Sequence, residues 1–132
     1  MTSGEVLHIV AFIRPFQLAK VTDALRVLPN FPGMSVSDGR GFGSHLAHPP
    51  AEGERGEVHP FKEFVRIEIF CRGTDEVAIT ETILHLSHTG HRGDGKIFVS
   101  SVRSARRIRT GDWGDSAVLK QEASGAKPEQ GS

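Results

Sequence analysis

The chain lacks tyrosine, has a single cysteine and has no long apolar run. Its 132 residues include no tyrosine, one tryptophan and one cysteine. Without tyrosine no modification of a phenol is available, and a lone cysteine, Cys71, cannot form an intrachain disulfide. Sixteen basic residues balance sixteen acidic ones, so the molecule as a whole does not attract nucleic acid or an anionic membrane.

Long apolar runs are also missing, and none approaches the roughly 20 residues of a membrane-spanning helix. The N-terminal apolar stretch from Val6 to Ile13 is interrupted by His8 and lacks a basic start. We therefore expect neither a signal peptide nor membrane insertion. Cys71 ends an apolar, strand-like run and is expected to be a buried, unreactive thiol. Together these features favour a cytoplasmic protein of one domain.

Hydrophobic periodicity predicts four strands and two helices. The predicted strands are 6–13, 34–40, 64–70 and 96–99, and the predicted helices lie near 18–28 and 74–87. The order βαββαβ predicts an α+β, ferredoxin-like antiparallel sheet with both helices on one face. Such a sheet leaves its other face bare, and we expect an oligomer to cover it.

Two segments lack an apolar period. Residues 44–60 contain Gly, Pro, His and Glu, and a loop of this length inside a compact domain is usually functional. The polar tail, 119–132, is expected to be disordered. The predicted domain is therefore 1–118.

Three short clusters of glycine and basic residues are candidates for anion binding: Arg40-Gly41-Phe42-Gly43, Gly93-Asp94-Gly95-Lys96 and Arg107-Ile108-Arg109-Thr110-Gly111. In the second cluster the glycines let backbone N–H groups turn towards an anion, and Lys96 adds positive charge. An ordinary helix-to-strand turn would also contain Asp-Gly. On an extended segment Arg107 and Arg109 would project to the same side and fork around phosphate oxygens. A solvated basic edge is the alternative for this third cluster.

In order and spacing these clusters resemble the signatures of the PII signal-transduction family. The similarity also includes Arg14-Pro15-Phe16, Gly33-Met34-Ser35-Val36 and the run from Thr89 to Val99, and it covers residues 7–118. It implies a homotrimer with an adenine nucleotide (ATP, ADP or AMP) in each cleft between subunits. It also implies a regulatory, non-catalytic protein that docks on a target protein through the loop 44–60, the T-loop of the family.

The resemblance implies roles for particular residues. Those that would line the phosphates from one subunit are Gly93, Asp94, Gly95 and Lys96. Arg107 and Arg109 would reach the phosphates from the neighbouring side of the cleft. The residues that would surround the adenine and the base of the loop are Ser35, Gly41, Gly43, Ser44 and Phe70.

Departures from the family pattern concern the loop and the effector. The uridylylated tyrosine of the family falls at Glu57, so that modification is excluded. The glutamine that helps to hold metal and 2-oxoglutarate falls at His45. The lysine that pairs with 2-oxoglutarate falls at Phe64, which should lower the affinity for this dicarboxylate. His91 replaces a usual lysine, which favours ADP or AMP over ATP.

These departures indicate a divergent branch of the family. The bicarbonate-responsive, carboxysome-associated relatives are slightly favoured over the nitrogen regulators. Bicarbonate and Mg²⁺ are candidate co-effectors.

An RNA-recognition module shares the βαββαβ order and is the first alternative. Its main motif would continue with an aromatic residue and a valine on the third strand, whereas here Ser44-His45-Leu46 follows the second strand. An enzyme is a further alternative, but no Ser/His/Asp arrangement or paired carboxylate stands out beside the phosphate turn.

A metal-linked or metal-tolerance sensor is the remaining alternative. Its ligands would come from two groups of residues, His45, His48 and His59 with Glu52, Glu54 and Glu57 in the loop, and His85, His88 and His91 at the second helix. No cysteine takes part and the spacings match no known site, so no metal-binding residue is assigned.

Overall fold

The structure, a computed structural model, describes residues 4–43 and 61–119. Its strands are β1 (Val6–Ile13), β2 (Ser35–Gly41), β3 (Lys62–Arg72) and β4 (Gly95–Val102), and its helices are α1 (Leu18–Leu25) and α2 (Glu76–Ser87). Short 3₁₀ turns precede both helices, and a third, Gly114–Val118, follows β4. The element order is the predicted βαββαβ. The expectations for the loop 44–60 and for the tail beyond residue 119 lie outside the described residues.

The four strands form one antiparallel sheet in the order β2-β3-β1-β4. This confirms the predicted ferredoxin-like α+β fold. Strands β3 and β4 are longer than predicted, because β1 pairs with both along its whole length and β2 pairs with the start of β3 from Lys62. Val6 lies opposite Arg72 and Val102, and Ile13 lies opposite Val65 and Gly95. The polar residues at the end of β4 therefore join the sheet although they carry no apolar signal.

Alternation along β1 and β3 sends every second side chain to the helices. The sheet residues of the buried core cluster are Leu7, Ile9, Ala11 and Ile13 on β1 and Val65, Ile67, Ile69 and Cys71 on β3. The helices add Val21, Leu25, Ile79 and Ile83 to the same cluster. Both helices thus cover one face, as predicted. Among the described residues no helix is long and apolar enough to cross a membrane.

The other face of the sheet, here called the open face, carries Val10, Phe12, Phe64 and Phe98. The Phe12 ring meets the rings of Phe64 and Phe98 edge-on, with centroids 5.2 and 6.2 Å apart. Phe98 remains 54% exposed. An aromatic cluster on a face that neither described helix covers is typical of a surface that a partner buries.

The thiol of Cys71 is fully buried in β3, as predicted. Burial raises the pKa of this thiol to about 11, and the nearby carboxylates of Asp75 and Glu76 add to the rise. Because the thiolate is the reactive form, Cys71 is poorly suited to nucleophilic chemistry.

A matched pair of leucines tests the position of the core. Leu25 on α1 is fully buried, whereas Leu84 on α2 is 52% exposed. We expect Leu25→Ala to lower the free energy of unfolding by about 2–5 kcal/mol, because it leaves a cavity against the sheet. Leu84→Ala should cost about 1 kcal/mol or less. Urea unfolding at one protein concentration measures both, and equal losses would contradict the assigned core.

Candidate functional site

The turn between α2 and β4 depends on glycines. Gly90, Gly93 and Gly95 all have positive φ angles, of 89°, 93° and 112°. At Gly95 a Cβ atom would lie 1.7 Å from the carbonyl oxygen of Phe12. Only glycine therefore lets β4 begin this close to β1. The sequence prediction of a glycine turn at the start of the last strand is confirmed.

Asp94 lies inside this turn and accepts hydrogen bonds from it. Its Oδ2 accepts the backbone N–H groups of Thr89 at 2.7 Å and of Gly90 at 2.8 Å. The Thr89 hydroxyl donates to Oδ1, and Arg14 Nε lies 3.3 Å from the same oxygen. The bonds from Thr89 above all, with those from Gly90 and the charge of Arg14, hold the pKa of Asp94 well below its usual range. Asp94 is therefore an ionised internal acceptor of the turn.

Gly41 and Gly43 lie at the same end of the sheet as this turn. Gly41 pairs with Lys62 at the end of β2, and Gly95 pairs with Ile13 at the start of β4. Strands β3 and β1 lie between these positions, which gives a spacing of about 14 Å across the sheet, and Gly41 also lies about 10 Å further along the strand direction. Lys96 follows the turn and is exposed on the open face. Ser44 lies outside the described residues.

The third cluster forms a small hairpin, so the extended segment on which the common projection of Arg107 and Arg109 is based is absent there. The backbones of Arg106 and Trp113 form an isolated antiparallel β-bridge, and the guanidinium carbon of Arg106 lies 4.0 Å from the centroid of the Trp113 ring. The chain turns through residues 108–110, with a bond from Gly111 N–H to the Arg107 carbonyl at 2.6 Å. We call residues 106–113 the arginine hairpin.

Arg107 is directed back to its own chain. Its Nη2 donates to the carbonyl oxygens of Leu119 at 2.9 Å and Ser116 at 3.4 Å, and its Nε lies 3.8 Å from Asp112. The Nε contact is a loose ion pair, because this buried atom makes no aligned hydrogen bond. Leu119, the first residue of the predicted tail, is thus joined to the domain. Arg109 is exposed at the tip of the hairpin.

The glycine turn and the arginine hairpin lie at opposite ends of the sheet. Strand β4 leads from Gly95, beside the end of β1, to Val102, beside its start. Its eight residues span about 25 Å. The segment after the hairpin stays near the start of β1, because Asp115 packs against Gly4. Within one chain these two predicted phosphate clusters do not meet.

Ser35 and Phe70 lie on the open face, nearer to the hairpin end. Phe70 stacks on His8 with centroids 4.4 Å apart and planes 4° from parallel. His8 Nε2 lies 2.6 Å from Glu68 Oε2, and Glu68 pairs across the sheet with Ser35. The structure therefore brings Ser35 and Phe70 into one neighbourhood. Gly41, six residues along β2 from Ser35, is about 20 Å away.

A cavity of about 410 Å³ opens at the turn end of the sheet. The residues that line it are Pro15, Asp38, Gly39, Arg40, Glu63 and Phe64. The Phe64 ring lies over Gly39, where a Cβ atom would come within 2.6 Å of it. Two carboxylates against one guanidinium give this cavity an acidic rather than a basic lining.

The metal alternative gains no support from the described part of the chain. Within residues 4–43 and 61–119 no group of three His, Cys, Asp or Glu side chains could hold an ion. His85, His88 and His91 are exposed and belong to no such group. The loop histidines of that alternative lie outside the described residues.

Comparison with known proteins assigns the family. The model for nitrogen regulatory protein P-II matches residues 6–112. The protein of that name from Cereibacter sphaeroides is 39% identical over 110 residues, covering 83% of this chain and 97% of the relative. That from Bradyrhizobium diazoefficiens is 41% identical over 113 residues, with the same coverage. The chain belongs to the P-II family.

Solved P-II structures share the fold described above. Arabidopsis thaliana PII bound to citrate gives a TM-score of 0.69 at 30% identity, covering 92% of this chain and 96% of that one. The Bacillus subtilis GlnK–ATP complex gives 0.68 at 26% identity, covering 89% and 99%. The resemblance to the PII family is thereby confirmed.

Within this P-II chain, the sequence analysis did not identify His8 and Glu68, which lie beside Ser35 and Phe70. Two features of the sequence could have indicated them: His8 is a polar residue within an apolar strand, and the alternation of β3 puts Glu68 on the same face as Phe70.

A matched pair of glycines separates a steric clash from backbone strain in the turn. Both Gly90 and Gly95 have positive φ, but a Cβ atom at Gly90 would meet nothing within 4 Å. We expect Gly90→Ala to cost about 1–2 kcal/mol of unfolding free energy. Gly95→Ala should cost about 3 kcal/mol or more, because it adds the clash with Phe12. Denaturant unfolding compares them, and equal costs would contradict the close approach of β4 to β1.

The ionised Asp94 predicts a pH dependence of stability. Its pKa is lower in the folded chain than in the unfolded one, so its contribution is present above the unfolded value, about 4, and is lost as the pH falls towards the folded value. Asp94→Asn should therefore lower the urea midpoint at about pH 7, and the gap to the wild type should narrow at about pH 3. Asp23→Asn, at an exposed pair with Arg26, is the control and should show little change. A gap that is constant with pH would exclude this role.

Proposed function

We propose that this P-II protein is a regulatory homotrimer that binds adenine nucleotides in clefts between subunits. One subunit contributes the glycine turn with Gly41 and Gly43, and its neighbour contributes the arginine hairpin with Ser35 and Phe70. Whether a nucleotide occupies the cleft then determines how the segment 44–60 binds a target protein. The proposed role is regulatory and not catalytic.

The observation that carries this proposal is the separation of the two cationic clusters. Lys96 with the glycine turn and Arg109 with the hairpin lie at opposite ends of an eight-residue strand. A site that uses both can form only when two chains meet with the turn end of one beside the hairpin end of the other. The B. subtilis relative of known structure is an ATP complex, which supports adenosine triphosphate as a ligand class.

The open face supports the oligomer. Its aromatic residues Phe12, Phe64 and Phe98 form one edge-on cluster, and exposed apolar surface of this kind is stabilised by burial. Closing three copies around these faces would also bring sheet ends of adjoining chains together. The same contact would then bury the apolar face and build the clefts.

The arginines have different parts in the proposed site. Arg107 organises the chain that follows the hairpin, since its guanidinium holds the carbonyl groups of Leu119 and Ser116. To Arg109, which is exposed at the hairpin tip, we assign the contact with a phosphate of the neighbouring subunit. Lys96 supplies positive charge from the other side of the cleft.

Nitrogen regulation is the pathway that the relatives favour, because those compared above carry that name. Bicarbonate and Mg²⁺ remain candidate co-effectors from the sequence. The cavity beside Phe64 is acidic and partly aromatic, which disfavours 2-oxoglutarate there. Isothermal calorimetry with ATP, ADP and AMP, each with bicarbonate, 2-oxoglutarate or Mg²⁺, distinguishes these effectors.

Two substitutions test the cleft. We expect Lys96→Ala and Arg109→Ala each to weaken binding of ATP by about 1.5–3 kcal/mol, because each removes a charge-assisted contact to phosphate. Lys20→Ala on the exposed surface of α1 and Arg26→Ala just after the helix are the matched controls and should bind as the wild type does. Calorimetry measures all four, and wild-type affinity in both cleft variants would remove the assignment.

Mixing the two cleft variants tests whether the site is shared. In a mixed trimer one cleft pairs the intact turn of an Arg109→Ala subunit with the intact hairpin of a Lys96→Ala subunit. Co-refolded mixtures should therefore recover a fraction of sites with wild-type affinity, whereas either variant alone should have none. Absence of recovery in verified mixed oligomers would place both clusters in a site within one chain and contradict the proposal.

A further inference from the structure

Arg14 connects the end of β1 to the glycine turn across 78 residues of sequence. Its Nη2 donates to the carbonyl oxygen of Arg92 at 2.5 Å. Its Nε lies 3.3 Å from Asp94 Oδ1, an ion pair rather than an aligned hydrogen bond. The Arg14 side chain is 30% exposed and that of Asp94 20%. We call the pair Arg14 and Asp94 the latch.

The contact with Arg92 fixes the direction of the next backbone donor. The peptide unit between Arg92 and Gly93 has its C=O and N–H on opposite sides, because a trans peptide is planar. Since the carbonyl of Arg92 points to Arg14, the N–H of Gly93 points away from Arg14. A Cβ on Gly93 would lie 3.3 Å from Arg14 Nη2, so the guanidinium closes one side of the turn.

The contact with Asp94 balances a negative charge that would oppose an anion. A carboxylate in a phosphate-binding turn would repel the ligand if it were free. Here the carboxylate is occupied by Thr89 and Gly90 and is balanced by the guanidinium of Arg14. The turn can then present backbone N–H groups without a net negative charge at its centre.

We propose that Arg14 is a positioning residue of the nucleotide site, which presets the glycine turn for a polyphosphate before the ligand arrives. The inference rests on the proposed function, because it assigns the turn to phosphate binding. Arg14 acts through Gly93 and Asp94 and not by contact with the nucleotide. Its effect should therefore increase with the number of phosphates on the ligand.

The test compares full-length wild type, Arg14→Ala, Arg14→Lys and Asp94→Asn, with Arg26→Ala as the control. Hydrogen exchange of the nucleotide-free proteins measures protection of the amides of Thr89 and Gly90, and calorimetry measures affinity for ATP, ADP and adenosine. We expect about tenfold faster exchange of these amides in Arg14→Ala and Asp94→Asn. We expect binding of ATP to weaken about tenfold, binding of ADP to weaken by less than that, and binding of adenosine to be unchanged. Arg14→Lys should recover part of both losses, because one ammonium reaches only one of the two partners.

The outcomes separate this inference from the proposed function. If the wild type binds none of the three ligands, the proposed function fails and the inference fails with it. If the wild type binds ATP but Arg14→Ala binds it equally well, only the latch is excluded. Equal losses for ATP and adenosine would indicate a general structural defect and would also overturn the positioning role. Circular dichroism confirms that each variant is folded.

Discussion

Strand β1 imposes the constraint on which the rest of the structure depends, because it is hydrogen-bonded along both edges. Its alternation sends Ile9 and Ala11 to the helices and leaves Val10 and Phe12 on the open face. A shift of one residue in its register would exchange these two sets, so burial fixes the register strongly. The register in turn places Gly95 against the Phe12 carbonyl, and so it determines where the glycine turn lies.

The glycine turn, the proposed phosphate site, is ordered by an acidic residue. The amides of Thr89 and Gly90 need acceptors, and Asp94 supplies both from within the loop. An ionised acceptor makes stronger bonds than a neutral one, so it orders the turn more firmly. The cost is a negative charge near the expected phosphates, and the guanidinium of Arg14 offsets it. Asp94 thus orders the turn, and Arg14 balances the charge of Asp94 so that the turn can accept an anion.

The sequence was sufficient for the fold because apolar alternation in 6–13 and 64–70 is clear. It was insufficient for the end of β4, where Ser100 and Ser101 are held by pairing with β1 and not by their own preference. It also failed for the arginine cluster, where backbone bonds between Arg107 and Gly111 form a turn. Composition cannot tell a carboxylate that faces a ligand from one that faces its own backbone. Asp94 is an example, because it faces the backbone of its own turn and is paired with Arg14, and the distance between Arg14 and Asp94 in the sequence hides this contact.

Placing the two halves of the site at opposite ends of one sheet has a thermodynamic consequence. In the proposed trimer a ligand held by two chains binds the assembled form and not the separated one, so it stabilises the assembly by RT ln(1 + L/Kd) for each site, where L is the free ligand concentration. Binding and association are then linked, and each must favour the other by the same free energy. In the proposed trimer, contacts on the open face and phosphate contacts at the sheet ends would therefore act on one equilibrium. A change in the proposed cleft would then reach every subunit through the interface proposed for the aromatic face.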